Sequence, residues 1–129
     1  MNNLTIIFIG GLSNGKIVLE YLQSNKYVNL PLIITHPKNH PVPRYVDLST
    51  IFMGDNVKNE LDANIFTTLI GDYKPDFIFV AGWSGMLSEE LISIPRLGTI
   101  GFHPSKLPND RGRSVLAWQI EAGYNETAL

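Results

Sequence analysis

"LTIIFIGG", residues 4–11, is an unbroken apolar run, rich in β-branched side chains and closed by two glycines. Alternation would mark a strand with one wet face. Continuity marks a strand covered on both faces, as in a parallel sheet. Working outward, "SNGKIVLEYLQSN" (13–25) predicts a helix with Ile17, Val18, Tyr21 and Leu22 on its apolar face. "YVNLPLIITH" (27–36) returns to a strand, and Pro31 inside it predicts an edge position or a local irregularity. "PKNHPVPRYVD" (37–47) holds three prolines and no period, so it is a loop. "LSTIFMGDNV" (48–57) fits neither template, and a helix is expected from about Leu61 to Tyr73.

The second half repeats the alternation. "KPDFIFVAG" (74–82) reads as a second buried strand, and "SEELISI" (88–94) as a short helix N-capped by Ser88 and bounded by Pro95. "GTIGFH" (98–103) reads as a third buried strand, and "SVLAWQIEAG" (114–123) as a helix stopped by Gly123. Strands alternating with helices predict an α/β fold, a Rossmann-like, mainly parallel sheet with helices on both faces and right-handed crossovers. Ligands of such sheets gather outside the carboxyl ends of the strands.

Composition narrows the function classes. The 129 residues make a single domain with enough chain for a real core. A net charge of −2, from 10 basic and 12 acidic residues, argues against a nucleic-acid partner. The absence of cysteine excludes disulfides and thiolate metal sites and fits a cytoplasmic protein. The opening apolar run is too short for a membrane span and has no basic region before it, so no membrane partner is expected.

The glycines of "GGLSNG" (10–15) invite a dinucleotide reading, but the middle glycine of G-x-G-x-x-G is replaced by Leu12. Gly10 and Gly15 have Walker spacing, yet Lys16 is followed by Ile17 rather than Ser or Thr. A tight strand-to-helix turn explains these glycines. His36 and His40 lie four apart with Pro37 between them in a loop, which is a poor metal pair, and no metal is expected.

"GFHPSKLPNDRGRS" (101–114) concentrates a histidine, two prolines, two arginines and an aspartate where a strand leaves the sheet. Pro104 disfavours helix at His103 and turns the chain outward. A proton-active side chain, a proline-braced loop and a following helix start could serve a reaction that creates an oxyanion.

From Asp76 to Ser114 the chain resembles the core of the 10-formyltetrahydrofolate-dependent formyltransferases, whose pattern ends in N-x-H-x-S-x-L-P-x-x-R-G. That group takes in methionyl-tRNA, glycinamide ribonucleotide and amino-sugar N-formyltransferases. The resemblance implies the formyltransferase fold and transfer of a formyl group from 10-formyltetrahydrofolate to a primary amine. It implies that His103 stabilises the tetrahedral oxyanion or moves the proton. It places the pterin against Gly85, Met86 and Leu87, with Leu107, Pro108, Asn109 and Asp110 closing over it and Arg113 near the cofactor. Arg113 after Gly112 is more similar to the amino-sugar branch, so the expected acceptor is a nucleotide-linked amino sugar.

Two departures stand out. The family asparagine two residues before the histidine is Gly101 here, and loss of one oxyanion donor typically costs about 10²–10³ in turnover. No acidic residue matches the family aspartate that pairs with the histidine. "YNETAL" (124–129) reads as a turn entering a strand, so residues 1–129 are expected to be the amino-terminal catalytic part of a longer enzyme, weak or inactive alone. A methionyl-tRNA-type enzyme, a nucleotide-binding Rossmann-like domain, a non-catalytic relative and a homodimer stay open at this point.

Overall fold

The computed structural model describes residues 2–129. Five strands form one parallel sheet: β1 (Leu4–Gly10), β2 (Val28–Thr35), β3 (Val57–Asn59), β4 (Phe77–Ala81) and β5 (Gly98–Gly101), in the order β3-β2-β1-β4-β5. The helices are α1 (Leu12–Ser24), α2 (Thr67–Asp72), α3 (Glu89–Ile92) and α4 (Val115–Glu121). The α/β Rossmann-like fold expected from the alternation is present.

The continuity of residues 4–11 has its cause in the centre of the sheet. β1 lies between β2 and β4, and Ile7, Phe8 and Ile9 are each fully buried. Ile6 and Phe8 join Leu19 and Leu22 of α1, Ile33, Leu48, Phe52 and Ala81 in one core layer. Ile7 and Ile9 join Leu32, Ile34, Ala63, Ile70 of α2, Ile78 and Leu91 of α3 in the other. Each such side chain contributes about 1.5–3 kcal/mol on burial, so one strand anchors both layers.

Three expectations need correction. On α1, Ile17 and Tyr21 are 67% and 66% exposed, while Gly15, Leu19 and Leu22 face the sheet. The helix is rotated because Gly15 lies against the Ala81 carbonyl, where a Cβ would come within 2.8 Å. β5, expected to be buried, is the outermost of the five strands these residues form, with Ile100 39% exposed and Phe102, just after it, 41%. The helix expected over 61–73 opens as a 3₁₀ turn at Ala63–Phe66 before α2. Pro31 sits in an interior strand, and the β1–β2 register slips there, between Thr5↔Asn29 and Ile7↔Leu32. A missing N–H is tolerated at such a slip. Ser88 Oγ caps α3 by accepting from Leu91 N at 3.1 Å, and Gly123 ends α4 at φ +83°.

Candidate active site

Parallel strands deliver their following loops to one edge. Residues 36–47 leave β2, 82–88 leave β4 and 102–114 leave β5, all at the carboxyl end of the sheet. The order reverses between β1 and β4, but glycines close that crevice. Gly11 N donates to Ala81 O at 3.1 Å, and Cβ atoms at Gly10 and Gly82 would stand 2.0 Å from Ala81 O and 1.9 Å from Gly11 O. With the backbones in contact there, the glycines serve a close approach of two loops, and the Gly11 amide is spent on the protein itself.

The 82–88 loop is held from below. Gly82 adopts φ +65°, which turns the chain off β4. Asn64 then bridges the loop: its Nδ2 donates to Met86 O at 2.8 Å, and its Oδ1 accepts from Ser88 N at 2.7 Å. Asp62 Oδ1 accepts from Asn64 N and Nδ2, fixing the amide. Leu87 is half-buried against the α2–α3 layer, whereas Gly85 is exposed and Met86 is 88% exposed. Trp83 stacks on His36, with centroids 4.8 Å apart and planes 18° apart.

The histidine loop is tied together by its own backbone. Ser105 is buried, and its Oγ donates to Asn109 O at 2.9 Å. Ser105 N donates to His103 O, Leu107 N to Ser105 O and Asn109 N to Lys106 O, at 2.8, 3.0 and 3.1 Å. The Leu107–Pro108 peptide is cis, and Asp110 has φ +54°, a left-handed conformation that Asp adopts more readily than most residues. Buried Gln119 of α4 donates from Nε2 to Pro104 O at 3.2 Å, docking the helix under the loop.

His103 is half-buried, and its Nε2 lies 2.7 Å from the carbonyl of Asp110. A carbonyl only accepts, so Nε2 carries a proton, and in the neutral form of the ring the lone pair is therefore on Nδ1. The ring is therefore oriented by a backbone carbonyl of its own loop. The same loop reaches the one after β4: Arg113 Nη2 makes a long contact, 3.4 Å, to Ser84 O. This one contact links the two loops: Gly85, Met86 and Leu87 lie on the first and Leu107, Pro108, Asn109, Asp110 and Arg113 on the second, both after strands that end at the same edge of the sheet. Gly101 precedes them on β5 opposite Val80, and a Cβ there would meet nothing within 4 Å.

Two groups titrate abnormally, and both lie outside this loop. Burial, and secondly the charge of His40, hold the His36 imidazole below its ordinary range. Asp76 is held below the usual carboxylate range by Thr5 N, which donates to Oδ2 at 2.9 Å, and then by Arg96, whose Nε and Nη2 reach Oδ1 at 3.0 and 2.9 Å. Arg96 alone in the sequence suggests a solvated charge; the structure makes it a clamp on the start of β4. Ser105 stands inside the quoted motif without an assigned role. Nothing local in the sequence signals that Asn64, Gln119 or Trp83 positions the loops, because each acts across a long sequence gap.

The model of the formyl transferase family matches residues 2–129, nearly the whole chain. The chain belongs to the formyl transferase family. A methionyl-tRNA formyltransferase of Thermotoga sp. (strain RQ2) is 30% identical to this formyltransferase-family chain over 137 residues, covering 98% of the chain and 42% of the relative. One from Legionella pneumophila (strain Paris) is 28% identical, covering 100% and 43%. The chain spans less than half the length of these curated relatives. Among solved structures, phosphoribosylglycinamide formyltransferase from Bacillus halodurans superposes with a TM-score of 0.66 at 17% identity, over 92% of this chain and 66% of that one. The one from Anaplasma phagocytophilum gives 0.67 at 20% identity, over 95% and 60%. At these identities the likeness speaks for the fold. Among the described residues no helix is long and apolar enough to cross a membrane, and no group of three or more His, Asp or Glu side chains is placed to hold a metal.

Proposed function

We propose that this chain carries the formyl-donor half of a formyltransferase active site, transferring a formyl group from 10-formyltetrahydrofolate to a primary amine. The supporting observation is the meeting of the 82–88 and 102–114 loops at the carboxyl edge of the sheet. Met86 and Leu107 stand 88% and 60% exposed on these two loops, large apolar side chains that a flat pterin ring would cover. In this reading Gly85, Leu87, Pro108, Asn109, Asp110 and Arg113 are the other residues that would hold the donor.

In this reading the acceptor amine attacks the formyl carbon, and the carbonyl oxygen becomes an alkoxide. The carbon–N10 bond then breaks, and the amine loses a proton while N10 gains one. His103 serves both needs. Its Nδ1 lone pair takes the proton from the attacking amine, and the resulting imidazolium steadies the alkoxide before giving the proton to N10. The Asp110 carbonyl holds the ring in the tautomer this requires.

The acceptor is read as a nucleotide-linked amino sugar, from Arg113 following Gly112. A second reading, the aminoacyl end of a charged tRNA, is favoured by the printed activity of the curated relatives. The net charge of −2 weighs against it for this part of the chain. The test is formyl transfer assayed with 10-formyltetrahydrofolate and either acceptor. Turnover with the amino sugar that falls about 10²–10⁴-fold on His103→Ala supports the proposal. Turnover indifferent to that change overturns the role of His103, and turnover with the tRNA alone overturns the acceptor.

A further inference from the structure

The loop after β2 carries a device that formyl-group chemistry at His103 does not use. His36, the residue just after β2, is 5% exposed, and two other rings stack on its own. His40 stacks on it, with centroids 5.1 Å apart and planes 17° apart, and so does Trp83, at 4.8 Å and 18°. His40 belongs to the proline-rich loop, and Trp83 to the loop after β4. Three rings therefore join two loops that no backbone hydrogen bond among those described connects.

The rest of the 37–44 segment is bonded mainly within its own neighbourhood. His40 N donates to Pro37 O, Val42 N to His40 O, Tyr45 N to Val42 O, and Asn39 N to the Tyr45 hydroxyl. At its start it is attached to the body through His36, whose carbonyl accepts from Asn59 Nδ2 of β3 at 2.9 Å, and through the stack; at its end the chain runs on into Val46 and Leu48 of the core. We propose that the His40–His36–Trp83 stack is the positioning element that seats the 37–44 loop against the 82–88 loop, and that it holds only while His36 is uncharged.

The reason is the seat itself. His36 Nδ1 is buried without a partner, and it faces Gly11 so closely that a Cβ there would stand 2.2 Å away. The rings of His40 and Trp83 stack on the imidazole, Gly11 lies against its Nδ1, and Asn59 Nδ2 holds the residue's carbonyl; none of these is a carboxylate. A proton added at Nδ1 has no acceptor, and His40 opposes it with like charge. Attraction of an imidazolium to the indole face offsets part of this. Burial and His40 prevail, so the neutral ring is the seated one.

The consequence for catalysis rests on the reading of residues 83–87 as the donor wall: the seated loop sets the acceptor side of the mouth, and its release raises the acceptor KM. The seating itself is tested without catalysis. The sequence holds two tryptophans, and Trp118 is 64% exposed, so Trp118→Phe leaves Trp83 as the reporter. In that background Trp83 emission, and tryptic cleavage after Lys38 and Arg44, are followed from about pH 8 to about pH 5. The emission is expected to titrate in one step below the ordinary imidazole range. Cleavage is expected to rise about tenfold relative to His36→Phe at the same pH, since that variant keeps the stack and loses the proton. His36→Ala is expected to be cleaved fast throughout. Flat Trp83 emission in the protein with native His36 overturns the proposal, and so does a His36→Phe variant that titrates in the same way. A chain that shows the titration but transfers no formyl group retains the seating and loses only the reading of the site.

Discussion

Position 101 tests the chemistry most sharply at the scale of one residue. A Cβ there meets nothing within 4 Å, on the strand that leads into His103, so Gly101→Asn adds a side chain whose first carbon is unobstructed. If the site stabilises an oxyanion as proposed, turnover rises by about 10²-fold on this change, read in the same formyl-transfer assay. No gain, or a loss, speaks against a donor being needed there. Ser105 makes a stability prediction. It is buried, and its hydroxyl donates to Asn109 O at 2.9 Å, so Ser105→Ala is expected to cost about 1–2 kcal/mol in urea unfolding. A midpoint unchanged from the native chain contradicts the view that this bond shapes the loop. The sequence singled out His103 and its neighbours as candidates because their unusual types cluster in fourteen consecutive residues. The carbonyl of Asp110 that orients the imidazole was not legible, because a backbone acceptor leaves no mark on residue type.

Among elements, β1 and β4 were legible because continuous apolar runs closed by glycine leave few alternatives to a buried strand. The rotation of α1 was not, because two overlapping apolar arcs compete on that helix and the contact of Gly15 with Ala81 O decides between them. The exposure of β5 was not legible for a related reason: an apolar run does not say how many neighbours a strand has, and among these five strands β5 has one. The arrangement predicts opposite responses to two nearby changes. Ile17→Ser, at a site 67% exposed, should alter stability by no more than about 0.5 kcal/mol. Gly82→Ala puts a Cβ at φ +65° and 1.9 Å from Gly11 O, so it should cost more than the ~1–2 kcal/mol of the left-handed conformation alone. Thermal unfolding of both variants checks the pair, and a Gly82→Ala chain as stable as the native one contradicts the close approach of the two loops.

For the whole molecule, pH dependence follows from two depressed groups at opposite ends of the sheet. In each case the folded chain binds fewer protons than the unfolded one, so stability rises with pH through the window. The contribution of His36 is complete above its ordinary value of 6.5 and fades as pH falls below it; that of Asp76 is complete above 3.8 and fades below. Urea midpoints measured across pH should therefore show two declines on acidification, the upper one flattened by His36→Phe and the lower by Asp76→Asn. A single decline unaffected by His36→Phe contradicts the neutral seat. The fold at this scale was legible from the alternation of strands and helices. The stacked link between the loops after β2 and β4 was not, since it joins residues 36 and 83 across the sheet. What most directly tests the central claim is titration calorimetry of the chain with 10-formyltetrahydrofolate, and separately with NAD and NADP. The account predicts saturable binding of the reduced folate that Arg113→Ala together with Met86→Asp weakens about tenfold or more, and no binding of either dinucleotide. Dinucleotide binding without folate binding, or folate binding indifferent to those two changes, would contradict it.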